Sequence, residues 1–63
     1  MSTVAFANKL RAEIEADLTS VEQGILSGAK DWDEYRLMVG KRHGLKQALA
    51  ALDDITRKFD AQD

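Results

Sequence analysis

Residues 24–34 read GILSGAKDWDE, the end of one helical pattern and the start of another within a few positions. Gly28 falls where a glycine just past a helix end adopts a left-handed backbone conformation and lets the last carbonyls find donors. Asp31 then restarts the chain as an N-cap, its carboxylate set to accept from the first free amides of a new helix. Glu34, three residues on, is the capping-box partner. Asp33 and Glu34 also lie where the positive end of the helix dipole favours acids. The stretch therefore predicts a reversal over about residues 28–31, with a helix on each side.

Toward the N-terminus, Phe6, Leu10, Ile14, Leu18, Val21 and Ile25 recur at spacings of 4, 4, 4, 3 and 4. That is one face of an amphipathic helix over about residues 3–27, with Ser2 or Thr3 available as its cap. Beyond the reversal, Met38, Leu45, Leu52 and Phe59 stand one heptad apart, with Leu49 between them and Ala48 and Ile55 widening the stripe. They predict a second helix over about residues 32–59. Its last turn carries Arg57 and Lys58 against the negative end of the dipole, and the final DAQD frays. Residues 1–63 then form a single antiparallel two-helix hairpin of the all-α class. Folding about the reversal pairs Ile14 with Leu45, Leu10 with Leu49, Val21 with Met38, Phe6 with Leu52 and Ile25 with Tyr35. It also sets Asp17 opposite Arg42, where the two either form an interhelical ion pair or snorkel separately to water at the edge of the seam.

A chain of 63 residues buries too little surface for comfortable stability alone, so its core is expected to be completed by oligomerisation or by docking on a larger partner. Without cysteine, disulfides and thiolate metal sites are excluded, and a single histidine is a poor basis for a zinc site. The lack of proline agrees with nearly continuous helix. No apolar run approaches the ~20 residues that span a bilayer. The first residues, MSTVAFANKLRAE, lack the basic flank and apolar core of a targeting signal. The expectation is a cytosolic, unanchored chain with no membrane partner. With a net charge of −2 and interspersed signs, no overall field draws it to nucleic acid.

Inside the second helix, residues 37–46 read LMVGKRHGLK and place Gly40 and Gly44 where each costs roughly 1 kcal/mol relative to alanine. With Ala48 they make a ridge without bulk, along which another backbone could come close and offset that penalty. A second ridge, Ala12, Ala16, Ser20 and Gly24, lies largely opposite Leu10 and Ile14. It is either a further contact surface or simply good helix-forming sequence. Trp32, Val39 and Ala50, flanked by His43, form another partly apolar strip, in which Trp32 either belongs to a contact surface or folds over the reversal as a plug. Lys41 is placed to lay its stem over Leu45 and offer its amine to a carboxylate on a partner.

Catalytic patterns are missing from this reading. His43 has no serine or threonine beside it and no group to orient its ring. Glu13 and Asp17, one turn apart, and the adjacent Asp53 and Asp54 read as solvated faces, because a hairpin offers no pocket to perturb a carboxylate pair. The sequence holds neither an EF-hand loop nor a phosphate-binding glycine loop. The expectation is a non-enzyme with no catalytic residues, cofactor, metal or small-molecule substrate. Arg36, Lys41, Arg42 and Lys46 occur with no acid among them. At 100° per residue they spread around the helix, which suits a solvated rim around a contact better than phosphate binding.

The run DWDEYRLMVGKRHGLKQAL has an acidic and aromatic helix start, then Tyr35, Arg36, Val39 and Gly40, then Gly44 and Leu45 before an alanine-rich tail. It resembles small helical-hairpin proteins of tailed bacteriophages, in which the corresponding stretch reads Y-[KR]-x-x-x-G-x-x-x-G-L. The likeness covers roughly a third of the chain. It implies a virion component or accessory protein, assembled in the host cytoplasm and docked on capsid, portal or tail, with itself or larger phage structural proteins as partners. The residues expected at the partner-binding surface are Trp32, Tyr35, Arg36, Val39, Gly40, Lys41, Gly44 and Ala48. In length and architecture alone the chain is also similar to the plasmid copy-number regulator Rop, whose paired hairpins bind RNA. A dimeric bundle that regulates by binding nucleic acid is accordingly the alternative.

Overall fold

The computed structural model describes the backbone of residues 3–62 and the side chains of residues 3–59. Two helices, α1 (Thr3–Ser27) and α2 (Trp32–Gln62), are joined by residues 28–31. They pack against each other as a hairpin 49 Å long and 17 by 13 Å across. The fold is the all-α hairpin that the sequence predicts.

The reversal forms as its residues require. Gly28 takes φ 98°, a left-handed conformation, and its amide donates to the Ile25 carbonyl at 3.2 Å. One carbonyl left over at the end of α1, that of Ile25, thus finds a donor, and the Ser27 hydroxyl donates back to the Gln23 carbonyl within the last turn at 2.9 Å. Asp31 Oδ1 accepts from the Glu34 amide at 2.8 Å, and the Asp31 carbonyl accepts from the Tyr35 amide at 3.1 Å. The N-cap of α2 is therefore in place. At the other end α2 runs on to Gln62 rather than stopping near Phe59. Arg57 and Lys58 are not in its last turn, and both reach back to Asp54, at 3.5 and 3.1 Å. Thr3 lies within α1, and the alternative cap, Ser2, falls outside the described residues, as does Asp63.

The seam is narrow. Among the described residues only Ala7 is buried, while Ile14, Leu18, Val21 and Ile25 of α1 and Met38, Leu45, Leu49 and Leu52 of α2 are half-buried. Phe6 and Leu10, expected in the seam, lie beside it and are exposed. Helix geometry supplies the reason: a spacing of four residues overshoots one turn by about 40°, so a run of fours winds around the helix. Phe6 ends on one flank, and Ala7 takes its place against α2.

The register also differs from the symmetrical folding expected. Arg42 Nε donates to Glu22 Oε2 at 3.2 Å, not to Asp17. Arg11 meets Asp53, with Nη2 at 2.7 Å and Nε at 2.9 Å from the same carboxylate oxygen. Met38 enters the space left by Gly24, where a Cβ would lie 3.3 Å from Met38 Cε. All three contacts slide α2 about one turn along α1 in the same sense, and the first turn of α2 overhangs the end of α1. Asp17 misses Arg42 for a second reason, since by helical geometry the two lie on opposite flanks of the seam.

Removing the Asp31 cap with Asp31→Ala should lower unfolding free energy by about 1 kcal/mol, and Asp31→Asn should retain most of it. Urea unfolding followed by circular dichroism reads the difference. Equal stability of the alanine and wild-type chains would show that the cap does not hold the reversal.

Candidate functional site

With a single seam, the hairpin has two broad faces, and the side chains make them unlike. One face carries both cross-helix ion pairs, Arg11 with Asp53 and Arg42 with Glu22, and Arg11 also donates to Asn8 Oδ1 at 2.9 Å. The Arg42 and Glu22 side chains are about two-fifths exposed, and pairs of this kind contribute on the order of 0–1 kcal/mol. Their effect is on register rather than on stability.

The opposite face has a groove whose floor is Val21 and Leu45 and whose walls are Asp17 and Ser20 on α1 and Lys41 and Gly44 on α2. Toward the open end of the hairpin it gives way to an apolar cleft among Phe6, Ala7, Leu52, Ile55 and Phe59. Several large side chains here face water: Phe6 is 60% exposed, Leu37 61%, Ile55 53% and Phe59 53%. Helical geometry sets Leu37, Gly44, Ala48 and Ile55 on this same flank of α2.

A third surface lies on the outer side of α2, where Trp32, Tyr35, Arg36, Val39, Gly40, Arg42 and His43 surround a shallow depression. The Trp32 and Tyr35 rings stack with centroids 5.4 Å apart and planes 24° from parallel. Trp32 remains 67% exposed, so it does not plug the reversal. The overhang of α2 leaves it nothing from α1 to fold against.

The residues expected at one partner-binding surface are therefore divided between two. Trp32, Tyr35, Arg36, Val39 and Gly40 gather on the outer patch, while Lys41 and Gly44 line the groove, with Ala48 on the same flank by its spacing. Sequence reasoning missed Phe6, Leu37, Ile55 and Phe59 as members of the second surface. The apolar spacing puts Phe6, Ile55 and Phe59 in the seam stripes, and Leu37 stands outside the heptad. The signal that could have found them is the drift of the four-residue spacing. Of the basic residues, Arg36 and Arg42 border the outer patch, Arg42 also pairing with Glu22, and Lys41 lines the groove. Among the described residues, no group of three or more histidine, cysteine or acidic side chains is placed to share a metal ion. No helix is long and apolar enough to cross a membrane, again among the described residues.

Beyond the backbone of their own helix turn, neither Gly40 nor Gly44 has a neighbouring atom within 4 Å of where a Cβ would stand. Nothing inside the hairpin thus explains why glycine occupies either position. Gly40→Ala should raise the stability of the isolated chain by up to about 1 kcal/mol through helix propensity alone, as measured by urea unfolding at low concentration. A loss of stability instead would mean that Gly40 is packed against something within the single chain.

Comparison of the chain with protein-family models, with curated protein sequences and with solved structures found no match.

Proposed function

We propose that this chain is a non-enzymatic interaction protein and that the outer patch of α2 is the surface by which it docks on a larger assembly. The observation that carries this reading is the stacked Trp32 and Tyr35 pair, held out in water by the overhang with Val39 and Arg36 beside it. Tryptophan, tyrosine and arginine are the side chains that most often dominate contact energies, because each buries a large area with a polar handle. A cap at Asp31 and a stacked neighbour fix Trp32 in place, so little side-chain freedom remains to be lost on docking.

The nature of the assembly follows from the resemblance of residues 31–49 to tailed-phage hairpin proteins: a bacteriophage virion component, docked on capsid, portal or tail. The groove and its flanking apolar side chains then serve contacts with further copies or with the same assembly. Nucleic-acid regulation is the weaker reading, since Lys41 lies on a different surface from Arg36 and Arg42, Arg42 is paired with Glu22, and the net charge is −2.

Mass spectrometry of purified particles of the encoding phage should find the chain, and added chain should co-sediment with particles that lack it. Trp32→Ala should weaken that association by roughly tenfold to thirtyfold, about 1.4–2 kcal/mol, while Gln47→Ala leaves it unchanged. A chain absent from the particles, or a tryptophan variant that sediments like wild type, would sink the docking reading.

A further inference from the structure

On the groove face Phe6, Leu37, Ile55 and Phe59 are each more than half exposed. The protein exposes 4988 Å², about 1,000 Å² more than a compact monomer of 7.0 kDa. That excess is spread over the elongated surface; a face-to-face contact that removed a comparable area from each of two chains would bury about 2,000 Å², the area at which ordinary specific interfaces pass into permanent dimers. Another hairpin of this kind has the size to cover the face, and it carries the same excess to be covered in return.

The arrangement of side chains along α2 favours such a copy and says how it lies. Outward from Ala48 on this flank, the same sizes recur in both directions: Gly44 and Ala51, then Lys41 and Ile55, then Leu37 and Phe59. A face that reads alike when reversed is what a two-fold contact requires, because residue i on one copy meets residue j on the other and the reverse. Two α2 helices crossing antiparallel at Ala48 would approach closely at the bare centre. Leu37 of each would pack on Phe59 of the other, and the methylene stem of Lys41 would lie along Ile55.

Helix α1 fits the same axis. Interpolation between the Arg11–Asp53 and Glu22–Arg42 pairs places Ala48 level with the stretch between Glu13 and Asp17. About that level, Phe6 and Leu10 lie on one side and Ser20 and Gly24 on the other. On the groove flank, antiparallel α1 helices bring Phe6 and Leu10 of one copy to within about two residues of the small Gly24 and Ser20 of the other.

We infer that the chain forms a homodimer by its groove face, as a four-helix bundle whose two-fold axis crosses each hairpin at Ala48. In it α1 lies on α1 and α2 on α2, and the two reversals are at opposite ends. The inference rests on the reading of this chain as a contact protein, and the dimer leaves the Trp32 patch outside and free to dock. One feature opposes it: Glu13 and Asp17 of both copies meet near the axis, and like charges in an interface weaken it. That opposition also marks the orientation. Were the reversals at the same end, α1 would lie along the α2 of the other copy, bringing Asp17 toward Lys41.

Sedimentation equilibrium of the full chain, with circular dichroism at the same concentrations, tests the assembly. Wild type should pass from monomer to dimer, Gly44→Leu should raise the dissociation constant at least tenfold while keeping its helicity, and Asp17→Asn should lower it severalfold. Because the native sequence has no cysteine, Ala48→Cys should be joined to itself by a short bis-maleimide much faster than Ala50→Cys, on the outer side of α2. A chain that stays monomeric, a dimer indifferent to Gly44→Leu, or equal cross-linking at the two positions would overturn the interface. A dimer loosened by Asp17→Asn would overturn its orientation. Trp32→Ala should leave the dimer intact, which separates failure of this interface from failure of docking at the outer patch.

Discussion

Two helices side by side share one seam, and each can turn only a single stripe toward the other. Most of what distinguishes this protein follows from that geometric limit. The stripe of α1 is Ala7, Ile14, Leu18, Val21 and Ile25, none bulky enough to seal the seam, and Ala7 alone among the described residues is buried. Large apolar residues elsewhere on the helices cannot join them without unwinding the helix that carries them. They remain on the flanks, and the hairpin presents as surface what a larger protein would use as core.

Register within that seam is set by small and long side chains acting together. Gly24 provides the space that Met38 fills, and the two arginines reach diagonally across one face to Asp53 and Glu22. None of these interactions is individually strong. Their common direction matters more than their strength, because it slides α2 along α1 until its first turn projects beyond the reversal. The exposed Trp32 and Tyr35 stack is a consequence of that displacement. The same displacement brings the level of Ala48 to the middle of α1. A register fixed by weak contacts thus governs both of the surfaces through which the protein is proposed to act.

The interior glycines take their meaning from the same division of faces. Gly28 is accounted for by its own backbone and Gly24 by Met38. Gly40 and Gly44 border surfaces that nothing in the chain covers, Gly40 at the outer patch and Gly44 at the groove. Neither improves the packing of its own chain, which is what the proposed contacts with other chains would account for. Gly44 lies on the flank of α2 that exposes Leu37 and Ile55, and Gly40 at the patch that exposes Trp32 and Val39.

By itself the sequence determined the reversal, the two helices and the Gly28 and Asp31 caps on either side of the reversal, since these depend on residues within a few positions of one another. Gly28, Asp31 and Glu34 act through backbone geometry and short-range hydrogen bonds, and the apolar spacing acts through the helical period. The tertiary structure alone decided which side chains meet across the seam: Arg42 with Glu22 instead of Asp17, Ala7 in place of Phe6, and Met38 beside Gly24. It also decided that the expected contact residues belong to two surfaces and not one. The physical reason is that a helical spacing fixes angles only to within the drift that accumulates along the helix. Where two long helices settle lengthwise depends on side chains far apart in the chain, whose fit no local pattern records.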